Sequence, residues 1–276
     1  MPAPTRHPTL ARAFGGKWAL VTGASAGLGE QIALDLAASG ANLVLTARRA
    51  DRLEALADDI HSQYSVETRV IPADLSLPET PQQLYDATEA AGLPIDILIN
   101  NAGFGFLGKF QTGTPEWDRQ MVTVNCAAVV HLTHLFLPRM IERRRGFIMM
   151  LASAASFQPI PYMSTYAATK AFDRFLGEAL DAEVRQYGIR VSSLCPGPTE
   201  SEFGQVAGMN SSAFRRVQPA QPVVRRGLLD LAGGKPTSYP PGSGAFFFFL
   251  ERFLPRTLVT RVLERGLRSA IPNRPE

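Results

Sequence analysis

The sequence predicts an α/β fold, a single domain built on a doubly wound parallel sheet with helices on both faces. Three observations carry this. Short apolar runs alternate with amphipathic stretches along most of the 276 residues, the runs show no polar alternation, and a glycine-rich turn joins the first run to a helical pattern. Strands without polar alternation are buried on both faces, which puts helices above and below a parallel sheet.

Taken in order, the first strand is Trp18–Thr22, and a helical pattern over 30–38 follows the glycine turn. Further strands are expected at 43–46, 70–71, 95–99, 147–151 and 189–194. Leu53, Leu56, Ala57 and Ile60 recur on one face of a helix over 51–61. Longer helices are expected over 116–144 and 165–187, and the Gly- and Pro-rich stretch 233–244 reads as a loop with room for one short strand. The expected organisation is an N-terminal extension at 1–14, a domain over 15–244 with an integral substrate loop at about 199–220, and a basic amphipathic segment over 245–276.

With 45% hydrophobic residues the chain can bury one substantial core. Lysine and arginine number 28 against 25 acidic residues, a net charge of +3 that makes no case for nucleic acid. From Leu250 onward six arginines face three glutamates, so the excess lies in the tail. Cys126 and Cys195 sit in apolar surroundings, where free thiols behave as small hydrophobes; a reducing compartment fits and a disulfide framework does not. Residues 1–14 lack the continuous apolar core of a signal peptide. The run Phe246 to Phe249 meets charge far short of the roughly twenty residues a spanning helix needs. Cytoplasmic residence is the expectation, with peripheral membrane contact through the tail as a second reading. No metal site is expected.

The chemistry starts at Gly23, Gly27 and Gly29, with Ser25 and Leu28 beside them. A glycine turn between strand and helix brings bare backbone N–H groups and a helix N-terminus up to a pyrophosphate. Tyr166 and Lys170 stand four residues apart, a spacing that puts both on one face of a helix. An ammonium there favours the ionised phenol and makes the tyrosine a usable proton donor. Ser153 closes the fifth strand, thirteen residues upstream of Tyr166.

The glycine spacing T-G-x-x-x-G-x-G differs from the ordinary G-x-G-x-x-G fingerprint. Together with Asn100, Asn101, Ala102, Gly103, Asn125, Ser153, Tyr166, Lys170 and Pro196-Gly197-Pro198 in order, it closely resembles the short-chain dehydrogenase/reductase family in its single-domain branch. The resemblance runs over about residues 17–203. It implies a Rossmann-like fold and an oxidoreductase in which Tyr166 passes a proton to or from the substrate oxygen. It further implies that Lys170 also holds the nicotinamide ribose, that Ser153 hydrogen-bonds the substrate oxygen, and that Asn125 keeps a water in reach of the lysine. Asp74 matches the aspartate that meets the adenine amino group; on its own it is equally a helix N-cap. Asn101, Ala102 and Gly103 would line the adenine ribose side, and Pro196, Gly197 and Thr199 the nicotinamide. Pairing into a homodimer or homotetramer through the 116–144 and 165–187 helices is also implied.

Coenzyme choice falls at the end of the second strand, where an acidic side chain accepts the ribose 2′-hydroxyl in NAD-preferring proteins. Here Ala47 is followed by Arg48 and Arg49, whose guanidinium groups suit a 2′-phosphate. NADP(H) is therefore expected over NAD, Arg49 being otherwise a surface arginine that opens the next helix. Phe104, Phe106, Phe157, Phe203 and Met209 are expected to converge as an apolar lining, with 203–218 as a flap above it. These residues and the basic, phenylalanine-rich tail favour a lipophilic ketone or aldehyde. The leading reading is a carbonyl reductase, reversible as an alcohol dehydrogenase. A nucleotide-sugar epimerase or dehydratase is disfavoured by the glycine spacing, and a non-catalytic NADP-binding sensor or interaction protein by the complete set Asn125, Ser153, Tyr166 and Lys170. In the tail, apolar residues from Phe253 to Leu267 recur at helical spacing interrupted by Pro255. They read as a helix packed on the domain or a subunit neighbour, in preference to one lying on a membrane.

Overall fold

The computed structural model describes residues 4–208, 217–240, 253–268 and 271. Helix α1 (Pro8–Phe14) leads into β1 (Trp18–Thr22), α2 (Gly27–Ala38), β2 (Asn42–Thr46), α3 (Ala50–Gln63), β3 (Thr68–Val70), α4 (Thr80–Asp86) and β4 (Ile95–Asn100). The second half runs α5 (Pro115–Val122), α6 (Ala128–Arg143), β5 (Gly146–Leu151), α7 (Ser164–Val184), β6 (Ile189–Leu194), α8 (Phe203–Val206), α9 (Ala220–Ala232), β7 (Thr237–Ser238) and α10 (Arg256–Leu267). The strands form one parallel sheet in the order β3-β2-β1-β4-β5-β6-β7. From β1 the chain winds one way to β2 and β3, then crosses to β4 on the other side. The crevice beyond the ends of β1 and β4 is the switch point at which such sheets bind ligands.

Side chains on β1 alternate between two apolar cores, as burial on both faces demands. Ala19 and Val21 face Ile32, Leu36, Leu228 and Leu231, whereas Leu20 faces Phe136, Ile148 and Val191. Val21 stands level with Leu45 of β2 and Ile99 of β4, so the chain leaves the three strands at one height. Thr22 ties the crossing together. Its Oγ1 donates to the Ile99 carbonyl at 3.0 Å and accepts from the amides of Asn101 and Ala102, each at 3.0 Å. Asn101 Nδ2 donates in return to the carbonyls of Thr22 at 2.7 Å and Gly23 at 3.2 Å.

Three elements differ from their sequence expectation. Residues 8–14, expected in an extension outside the domain, form α1, with Leu10 buried and Phe14 edge-on to Phe147 at 5.0 Å. Two large apolar residues in seven carry too little periodicity to show that burial. The third strand lies at 68–70 instead of 70–71, because an edge strand tolerates the exposed Arg69. The helix expected over 116–144 is interrupted by a π-helical turn, Thr123–Ala127. Its run Pro115–Arg143 is long and apolar enough to cross a membrane, but Leu132, Phe136 and Met140 are buried in the second core. As expected, Pro255 interrupts the repeat: Phe253 and Leu254 lie outside the helix, and Pro255 is the N-cap from which α10 starts. Within the stretch read as a loop, β7 extends the sheet beside β6.

Candidate active site

The glycine turn is shaped by what a side chain would hit. Gly23 and Gly27 adopt φ of +66° and +60°, where glycine alone is unstrained, and a Cβ at Gly23 would stand 2.8 Å from Asn101 Nδ2. At Gly29 a Cβ would come within 2.2 Å of the Gly23 carbonyl oxygen. Gly29, expected against the cofactor, therefore acts by letting α2 pack on the turn and is not among the residues lining the cleft. Among the described residues no side chain caps α2, which leaves its first N–H groups open to an anion.

The cleft above this turn encloses about 830 Å³. Gly23, Ser25, Gly27, Leu28, Arg48, Arg49, Asp74, Asn101 and Ala102 line it, with Gly103 beside Lys170. Ser153, Tyr166, Lys170, Pro196, Gly197 and Thr199 line the inner half. A glycine cradle that a Cβ would fill, opening on an uncapped helix start, fits the pyrophosphate of a dinucleotide. Asp74 also caps its own turn, Oδ1 accepting from the Ser76 amide at 2.9 Å. Arg48 is exposed at the outer mouth, and Arg49 is already engaged. Its Nη1 meets Glu202 Oε2 at 2.8 Å, while Nη2 and Nε donate to Ser25 Oγ at 3.1 and 3.3 Å. Arg52 holds the other carboxylate oxygen of Glu202 at 2.5 Å, and the two guanidinium groups, Arg52 foremost, keep that carboxyl below its usual range.

At the inner end, Ser153 starts the 3-10 turn Ala154–Ser156, its Oγ accepting from the Ala155 amide at 3.1 Å. Helix α7 buries Tyr166, Lys170 and Asp173. Lys170 Nζ donates to the Leu151 carbonyl at 2.6 Å and to Asp173 Oδ2 at 3.0 Å. The expectation that the neighbouring cation makes Tyr166 acidic needs correcting in its balance. Burial raises the phenol above its ordinary value; Lys170 and a hydrogen bond from Ser153 pull it down without overcoming that.

Asn125 lies in the π-turn, fully buried and away from the cleft lining. Its Nδ2 donates to the Phe104 carbonyl and to Thr169 Oγ1, both at 3.0 Å, and its Oδ1 accepts from the Phe104 amide at 3.1 Å. The side chain thus ties the loop after β4 to α7. A Cβ at Gly103 would stand 3.1 Å from Asn125 Oδ1 and 3.3 Å from Lys170 Nζ, so both converge on that backbone.

Of the aromatic residues expected in the substrate lining, Phe104 and Phe203 are there, Phe203 with its ring 5.0 Å from that of Tyr166. Phe106 packs in a satellite cluster with Leu107 and Met121, and Phe157 lies under the Arg174 guanidinium at 4.1 Å, so neither lines the cleft. Met209 lies outside the described residues. Sequence reasoning missed Ile160, Met163, Leu263 and Leu267, which line the cleft. The last two come from α10, held by Glu264, which accepts from the Tyr162 hydroxyl at 2.5 Å and from Arg268 Nε at 2.9 Å. Tyr162 itself has φ of +67°. Among the described residues no group of three or more His, Cys, Asp or Glu side chains is placed to hold a metal ion.

A glycine cradle at the switch point, in one cleft with serine, tyrosine and lysine, is the arrangement that a dinucleotide-dependent oxidoreductase would use. Residues 17–210 match the short chain dehydrogenase family, and the chain belongs to it. It is 38% identical over 187 residues to very-long-chain 3-oxoacyl-CoA reductase-B of Danio rerio, covering 66% of this chain and 59% of that one. With the very-long-chain 3-oxoacyl-CoA reductase of Aspergillus clavatus the identity is 39% over 184 residues, covering 65% and 53%. The match therefore spans little more than half the length of these relatives. Among solved structures, a short-chain dehydrogenase from Sphingobium yanoikuyae in complex with NADPH superposes with a TM-score of 0.79 at 30% identity, covering 94% of this chain and 98% of that one. The bulky-bulky ketone specific alcohol dehydrogenase from Comamonas testosteroni superposes with a TM-score of 0.74 at 28% identity, covering 93% and 95%.

Proposed function

We propose that the protein is an NADP(H)-dependent carbonyl reductase, reversible as an alcohol dehydrogenase, acting on a lipophilic ketone or aldehyde. One observation carries the substrate class: Leu263 and Leu267 of α10 join Phe104, Phe203, Ile160 and Met163 in one cleft with Tyr166. An apolar enclosure of that kind selects an apolar body and keeps water from the reacting oxygen. Two neighbours point the same way, one named for a long acyl chain and one for bulky ketones. For the coenzyme, support comes from Arg48 and Arg49 at the outer mouth and from the NADPH held by the Sphingobium protein.

NADP(H) supplies or accepts the hydride when bound. The chain's own residues do the rest. Tyr166 holds the transferable proton on its phenolic oxygen, Ser153 lines the same cleft to stabilise charge on the substrate oxygen, and Lys170 sets a cation whose charge acts on the phenol. The test is a panel of long-chain apolar and small polar carbonyls, followed by loss of nicotinamide absorbance with NADPH. Apolar carbonyls are expected to be turned over with the higher kcat/KM. Better turnover of the small polar set would overturn the substrate class, and NADPH binding without turnover of any carbonyl would favour the sensor reading.

The proposal extends to two surfaces and to cytoplasmic residence. Val122 of α5 with Phe172 and Phe175 of α7 are exposed apolar groups suited to a homodimer or homotetramer contact. On α10, Leu258 and Val262 are 50% and 60% exposed beside the exposed Arg261 and Arg265, a face suited to peripheral contact with an anionic membrane. Sedimentation tests both: the protein alone is expected at two or four chains, and to pellet with phosphatidylserine-containing vesicles but not with phosphatidylcholine alone. A monomer, or no pelleting at low salt, removes the corresponding claim.

A further inference from the structure

We propose that Asp173 is a positioning residue for the proton transfer: its carboxylate aims the Lys170 ammonium at the cleft and offsets the charge that Tyr166 feels. The inference rests on the reading of Tyr166 as proton donor and adds a fourth member to its surroundings.

The geometry is that of an anchored cation. An ammonium has three donors. On Lys170 one goes to the Leu151 carbonyl at 2.6 Å and one to Asp173 Oδ2 at 3.0 Å, which leaves a single N–H for the cleft that Lys170 lines. Without Asp173 the ammonium can swing about its one remaining anchor. The carboxylate lies one turn beyond the lysine on α7 and is 2% exposed.

A purely structural role is the bland alternative, since buried ion pairs are often replaceable by apolar residues at no loss of stability. Two observations argue for more. Asp173 Oδ1 is buried with no hydrogen-bond partner among the described residues, an arrangement that costs stability and that a pair selected only for folding would not retain. Second, Asp173 supplies the negative charge closest to the active-site cation. Facing Lys170 are Tyr166 from its own helix and Cys126 from the π-turn, whose thiol burial pushes up to about 12 and keeps neutral. The strand side contributes the Leu151 carbonyl and the Ser153 hydroxyl, neither of them charged. Lys170 lowers the Tyr166 phenol and Asp173 raises it, so the carboxylate damps the cation's effect.

The sign of the outcome follows. Asp173→Asn keeps the shape and removes the negative charge, so the unopposed cation favours the phenolate and Tyr166 ionises at lower pH. Ultraviolet difference titration of tyrosinate, with the Tyr166→Phe protein subtracted, reads this directly in the full chain with NADP⁺ bound. The ionisation is expected to move down by about one pH unit, a tenfold change in the ionised fraction below its midpoint. Asp173→Leu, the second variant, removes the anchor together with the charge, so with the ammonium no longer held it is expected to lower the midpoint by less than Asp173→Asn does. The proton-dependent limb of kcat/KM for alcohol oxidation should shift with it. An unchanged midpoint in folded Asp173→Asn, or an upward move there, overturns the proposal. Because the titration needs no substrate, a protein that turns over no carbonyl but shows the shift would sink the reductase reading and leave only the coupling of Asp173, Lys170 and Tyr166 standing.

Discussion

Tyr166→Phe is expected to lower kcat by about a thousandfold or more while leaving NADPH affinity within roughly twofold. The substitution keeps the ring that packs on Phe203 at 5.0 Å and removes only the oxygen that carries the proton. Lys170 keeps its place because its anchors are the Leu151 carbonyl and Asp173, not the phenol. The loss should therefore appear in kcat and not in nucleotide binding, which steady-state rates and a fluorescence titration separate. Turnover near the unmodified level with NADPH still bound would exclude the proposed chemistry. Burial holds the phenol above its ordinary value, so near neutral pH Tyr166 carries its proton and is ready to donate it, the step that reduction requires. Oxidation needs the phenolate and is expected to quicken as pH rises.

How far the sequence anticipates this site can be traced residue by residue. The glycine turn was legible because backbone geometry restricts residue type: at Gly23 a Cβ meets Asn101, and at Gly29 it meets the Gly23 carbonyl. The buried strands were legible because two-sided burial leaves no polar alternation, as β4 shows with all six residues buried. Tyr166 and Lys170 were legible from helical spacing. What spacing does not carry is the direction in which a side chain leaves a loop. Phe104 and Phe106 are two residues apart, but only the first lines the cleft; the second packs in the satellite cluster. The tail helix shows the same limit at greater range. Its apolar repeat was visible, but not that Leu263 and Leu267 would line the cleft, a contact made across about a hundred residues and fixed by Glu264 on Tyr162. Asp173 left a readable signal, an acid three residues after a helical lysine, which marks an ion pair but not its burial. Desolvation of Tyr166 had no signal at all, because it depends on what the fold packs around the ring.

The arginines raise a question that the sequence could not pose. Arg49 was expected to receive a 2′-phosphate, yet its Nη1 is paired with Glu202, and Arg52 holds the same carboxylate. Glu202 comes from the loop after β6, so this pairing joins the two sides of the outer mouth. A 2′-phosphate arriving there gains two guanidinium groups, Arg48 and Arg49, but meets an anion that already occupies one of them. The two effects separate by mutation. Arg49→Ala removes charge-assisted hydrogen bonds of about 1.5–3 kcal/mol and is expected to weaken NADPH by roughly ten- to a hundredfold with little change in NADH. Glu202→Gln removes the competing charge and is expected to tighten NADPH several-fold, again sparing NADH, because the dinucleotide without the phosphate does not contend for Arg49. Arg48→Asp puts an acid beside the ribose and should reverse the preference. Fluorescence titration of each variant with both coenzymes distinguishes these outcomes. If the unmodified protein binds NADH as tightly as NADPH, or if Arg48→Asp and Arg49→Ala leave the ratio where it was, the arginines are surface residues of α3 and coenzyme choice lies elsewhere.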